Sequence, residues 1–86
     1  MSSEEIRTFV LEQYVKPARQ KGEKRITIRA GDVHDVVGLK GRQPLVCDTL
    51  RGRKLQDLCR IRLLNERWGR NVNKRHAKNI WFTYEL

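Results

Sequence analysis

The side chains with soft-ligand or nucleophile chemistry are His34, Cys47, Cys59 and His76. Their spacing makes no paired knuckle of the C-x2-C or H-x3-H kind, from which closed tetrahedral zinc sites are built. Thiol catalysis needs a base beside the sulfur and a pocket around it. Cys47 falls instead in an apolar stripe with Val46 and Leu50, where a small core residue is the simpler reading. Asp32 and Asp35 stand three apart at the start of a short helix, and capping with dipole compensation accounts for them. Neither a P-loop nor a dinucleotide fingerprint is present. These residues predict a non-enzyme that holds no metal and no cofactor.

The remaining chemistry is cationic. Nineteen Lys and Arg face ten Asp and Glu, for a formal charge of +9 and a pI near 10.3. The charge is concentrated: residues 1–39 carry seven basic and six acidic side chains, residues 40–86 twelve and four. A folded domain with one cationic half suits a polyanion, most simply nucleic acid. The densest run is Arg67, Arg70, Lys74, Arg75 and Lys78, interleaved with Asn71 and Asn73. Such a run fits a phosphate backbone or a narrow minor groove, the alternative being a solvated loop. Trp68, at the base of this run, either braces a hairpin or stacks on an unpaired base. Trp81 belongs to a partner surface or packs beneath the run.

Eighty-six residues make one domain, 1–86, which buries only ~60% of its unfolded surface. No apolar run approaches the ~18–20 residues of a membrane span, and Met1-Ser2-Ser3-Glu4-Glu5 is acidic. Two cysteines make no disulfide framework. The expected setting is cytoplasmic and nucleoid-associated.

The elements that must position these cations follow from periodicity. Ile6, Phe9, Val10 and Tyr14 share one helical face behind an acidic start, predicting a helix over 3–20, with Pro17 kinking or restarting it and Gly22 ending it. Leu11 and Val15 lie off that face and suggest a second contact surface. Arg25-Ile26-Thr27-Ile28 alternates as a strand over 25–28. Val33 and Val37 predict a helix over 30–38 closed by Gly38. Pro44 suits the first turn of a helix over 43–52, with Val46, Cys47 and Leu50 buried, and Leu55 and Leu58 cap the core from a following turn. Ile61 and Leu63, then Ile80, Phe82, Tyr84 and Leu86, alternate as the strands of a hairpin over 60–86.

In that order the sequence resembles the winged helix-turn-helix superfamily of DNA-binding domains. Val33-x-x-x-Val37-Gly38-Leu39 looks like the first helix and turn of the motif, and Val46-x-x-x-Leu50 like the buried side of the recognition helix. The segment from Gly38 to Val46 is about two residues longer than the commonest spacing. Gly31-Asp32-Val33-His34, Gly38-Leu39-Lys40, Pro44, Val46-Cys47 and Leu50 are also similar to small prokaryotic winged-helix domains, standing alone or fused to DNA-processing enzymes. The resemblance implies an α+β fold: three helices, a small antiparallel sheet and a C-terminal β-hairpin wing.

It also implies duplex DNA as partner, read by a helix in the major groove. Centring Val46 on the buried side turns Leu45, Asp48, Thr49 and Gly52 outward. Lys40, Arg42 and Gln43 stand at the helix entrance, while Arg51 and Arg53 flank its exit. Arg42 suits a bidentate guanine contact or a phosphate, and Gln43 suits adenine. Asp48 either accepts from cytosine or orients a neighbouring arginine. Two other readings stay open: an architectural or single-strand binder using Trp68 and Trp81, and a protein-interaction or homodimer module docking through Leu11, Val15 or Trp81. The +8 on residues 40–86 favours nucleic acid over a docking module.

Overall fold

The computed structural model describes residues 3–37, 43–70, 72–73 and 77–86. The chain runs α1 (Ser3–Val10), a π-helical turn (Leu11–Val15), α2 (Lys16–Gln20), β1 (Arg25–Arg29), α3 (Ala30–Val37), α4 (Gln43–Arg51), α5 (Arg53–Cys59), β2 (Arg62–Trp68) and β3 (Ile80–Glu85). It is an α+β fold with a three-stranded antiparallel sheet in the order β1-β3-β2.

The first helix spans the expected residues, with a change of pitch inside it. Pro17 has no N–H to return to Gln13, and its ring crowds that carbonyl. The chain widens one turn ahead of it, where the Lys16 N–H donates five residues back to the Leu11 oxygen. This rotation buries Val15 completely, so the outward docking surface expected at Leu11 and Val15 is absent: Leu11 packs against the core as well. Gly22, at φ +76°, ends α2, with the Glu23 N–H returning to Ala18 O at 3.0 Å.

Three boundaries differ from expectation. β1 runs one residue further, to Arg29, because that residue still pairs with Trp81. The helix expected over 43–52 ends at Arg51; Gly52 is extended there and opens the separate helix α5, longer than the single turn foreseen. Leu55 fills the core, whereas Leu58 is 51% exposed and does not cap it. Arg60 closes α5 in the left-handed region at φ 56°, with Ile61 N–H bonded to Gln56 O at 3.0 Å. The turn at Gly38 and Leu39 lies outside the described residues.

The core sits between the helices and one sheet face. Ile26 and Ile28 of β1 and Ile80, Phe82 and Tyr84 of β3 point inward, meeting Ile6, Val10, Val33, Val46 and Leu50. Burial of these side chains is the main stabilising contribution, at ~25 cal/mol per Å2 of apolar surface. The Tyr84 hydroxyl donates to Leu50 O at 2.6 Å, which locks β3 to α4.

Candidate nucleic-acid interface

The residues expected to read a duplex separate into three groups, with Arg67 apart from all of them. The first lies along α4. Leu45 is half-buried, Asp48 is exposed, and Thr49 is buried at 6% exposure with its hydroxyl donating to Leu45 O at 2.7 Å. Thr49 is therefore not an outward contact. Its γ-oxygen satisfies the helix backbone one turn back, a common alternative for threonine. Leu45, Asp48, Thr49 and Arg53 nevertheless line one open groove of about 340 Å3, together with Arg7 of α1 and Lys54 of α5, two cations not foreseen from sequence. Gln43 is the first residue of α4. Lys40 and Arg42 lie outside the described residues.

Arg51 forms the second group and corrects an expectation. Its guanidinium is only 14% exposed and turns inward, donating from Nε to Glu66 Oε1 at 2.7 Å and from Nη2 to Oε2 at 2.8 Å. It also lies 5.4 Å from the Phe82 ring centre and 3.6 Å from Asp48. The Glu66 hydrogen bonds push its pKa further up. Arg51 therefore ties α4 to β2 and does not project outward from the helix exit. A fork-to-fork Arg–carboxylate pair fixes orientation as well as distance.

The hairpin is the third group. Trp68 donates its indole N–H to Glu66 Oε2 at 2.7 Å while its ring stays 41% exposed, so it braces the hairpin base and still shows a face. Arg70 and Asn73 are exposed on the connection between β2 and β3. Lys78 is tied down: its Nζ meets Asp35 Oδ1 at 2.9 Å, and this contact holds the Asp35 carboxyl below the usual range. Asn71, Lys74 and Arg75 lie outside the described residues. Gly69 allows a close approach at the hairpin base, donating to Asn79 O at 2.8 Å where a side chain would strike the backbone and Trp81.

Arg67 is separated from these residues. It projects from the opposite face of β2, with its guanidinium 4.5 Å from the Trp81 ring centre. Trp81 thus lies half-buried against Arg67 on the sheet face that points away from the core. Arg29, missed from sequence, flanks the same ring at 6.0 Å and is held by Asp32 and Asn79. Its signal was present in the alternation Arg25-Thr27-Arg29 around two buried isoleucines.

Cys47 and Cys59 are buried free thiols, and desolvation pushes both thiol pKa values up, opposite to what a nucleophile needs. Among the described residues no cluster of three His, Cys, Asp or Glu is placed to hold a metal ion. No described helix is long and apolar enough to cross a membrane. Comparisons of the chain with protein families, with curated proteins and with solved structures found no match.

Proposed function

We propose that this chain is a duplex-DNA-binding domain of winged helix-turn-helix type, acting as a small regulator or as the reading module of a DNA-processing system. The observation that carries the reading is an acid-free cationic run that follows a strand, β2, tied to α4. Residues 69–79 carry Arg70, Lys74, Arg75 and Lys78 with no carboxylate among them. The Arg51–Glu66 fork joins α4 to the strand that enters this run. Helix and hairpin then approach a duplex as one body, the helix in the major groove and the loop on backbone or minor groove.

The division of labour follows from which cations have partners. Arg51 and Lys78 neutralise Glu66 and Asp35; the backbone is assigned to the exposed Arg70 and Arg53, and to Lys74 and Arg75 on their place in the acid-free run. Base reading falls to Lys40, Arg42 and Gln43 at the α4 entrance, because the described outward side of α4 offers little beyond Pro44, Leu45 and Asp48. Four phosphates neutralised on duplex DNA give a log–log salt slope of about −3.6. Titration of selected and scrambled duplexes across a salt series tests this. Lys74→Ala with Arg75→Ala should flatten the slope by about 2 on both duplexes, and Arg42→Ala should cost ~1–3 kcal/mol on the selected duplex alone. A flat salt response refutes the proposal.

A further inference from the structure

The sheet has a second face. Strand register places Arg25, Glu85 and Arg62 in one row across it, Thr27, Thr83 and Asn65 in the next, and Arg29, Trp81 and Arg67 in the third. Four contacts show that each row shares this side: Arg62 Nη2 to Glu85 Oε1 at 3.1 Å, Thr27 Oγ1 to Thr83 Oγ1 at 3.0 Å, and Arg29 and Arg67 each against the Trp81 ring. The alternate residues of β1 and β3 form the core, so α4 lies on the other side of the sheet. Arg25, Thr27, Arg62, Asn65, Arg67 and Glu85 are exposed; Arg29, Thr83 and Trp81 are half-buried.

We propose that this open sheet face is a binding platform for single-stranded nucleic acid, separate from the duplex-reading side. Arginines stand at its four corners; Glu85, the one carboxylate in the three rows, pairs with Arg62, and Asp32 of α3 reaches Arg29 at 2.9 Å, so a phosphate at either corner shares its guanidinium with a carboxylate. At ~4.8 Å between strands and ~3.3 Å per residue, the corners span about 10 by 13 Å, the scale of a few nucleotides. Phosphates match the corner guanidiniums. The centre supplies what a duplex does not use: hydroxyl and amide groups in the middle row, and in the third an indole carrying the Arg67 guanidinium on its face. Unpaired bases stack on aromatic rings and on arginine planes, whereas paired bases keep their faces inside the helix. An acidic peptide would satisfy the arginines and leave the Trp81–Arg67 stack without a partner of its own kind.

The test uses the full chain and a short oligothymidylate. Trp68→Phe leaves Trp81 as the only tryptophan, and its emission should be quenched as the oligonucleotide binds. If loss of the Trp68–Glu66 bond unfolds that variant, amide shifts of β1 and β3 in the native chain give the same readout. Arg25→Ala with Arg62→Ala alters two exposed positions and should weaken the oligonucleotide about tenfold. Its salt slope should flatten by about 1.4, at 0.7 per phosphate on a single strand. Duplex affinity should stay unchanged, which separates this proposal from the duplex reading. Three results would overturn it: no change at Trp81 or the sheet amides at saturation, no effect of the double substitution, or equal binding of polyglutamate.

Discussion

Removing Glu66 strands a charge. Its carboxylate accepts from Arg51 at 2.7 and 2.8 Å and from the Trp68 indole at 2.7 Å. In Glu66→Ala the Arg51 guanidinium, 14% exposed, keeps its charge under the sheet and loses its principal counter-ion. Removing one partner of a buried pair costs ~3–5 kcal/mol. Glu66 is itself 23% exposed, so water replaces part of the loss and about 3 kcal/mol is expected. For a domain of this size that lowers Tm by ~12–24 °C, at ~4–8 °C per kcal/mol. Arg51→Met with Glu66→Leu keeps apolar volume and strands no charge, so it should recover all but ~1 kcal/mol. Urea unfolding followed by far-UV circular dichroism and by fluorescence measures both variants, provided the transitions coincide. A loss below ~1 kcal/mol in Glu66→Ala would mean that Arg51 is hydrated and that another contact joins α4 to the hairpin. A double variant as unstable as the single would assign the loss to packing. Because Arg51 meets Glu66 and not a phosphate, the double variant should also keep the duplex salt slope of the native chain.

Four further outcomes follow from the core and the caps. Leu50→Ala truncates a fully buried side chain and should cost ~2–5 kcal/mol by urea unfolding. Arg60→Gly relieves a left-handed residue and should raise stability by up to ~1 kcal/mol, since the Arg19 bond to Arg60 O uses backbone and survives. His34 is buried, and its ring makes a long contact, Nδ1 to the exposed Asp35 Oδ1 at 3.6 Å, so His34→Leu should change stability by less than ~1 kcal/mol in thermal melts. Burial raises the pKa of the Cys47 and Cys59 thiols and, more strongly, of the Tyr84 hydroxyl. The unfolded chain therefore releases these protons first, near pH ~8.5 for the thiols and ~10 for the phenol. Stability should fall as pH rises through those values, by up to ~1.4 kcal/mol per pH unit per group. Tyr84→Phe should abolish the steeper part above pH ~10 while losing ~1–2 kcal/mol with the Leu50 hydrogen bond, and a pH-independent stability curve would refute the argument.

Local periodicity determined most of the frame. The β-branched alternation at Ile26 and Ile28, the spacing of Val46 and Leu50, and the alternation Ile80-Phe82-Tyr84 each state which side of an element is apolar, and each is buried. Cys47 was legible as core for the same reason. Chain order alone did not decide which strands pair: a hairpin of β2 and β3 is local, but β1 joins β3 across more than fifty residues. The fate of individual cations was equally out of reach. Arg51, Arg53 and Lys78 look alike in sequence, yet two of them face carboxylates brought from distant elements, Glu66 and Asp35. Thr49 went inward because three residues beyond Val46 is about 60° around a helix, inside the buried side that Val46, Cys47 and Leu50 define; the outward placement misjudged that angle. The outer sheet face was written in Arg25-Thr27-Arg29 from the start. Only the register, which lays Trp81 between Arg29 and Arg67, made it a surface, because cross-strand neighbours are set by tertiary pairing and never by spacing along one strand.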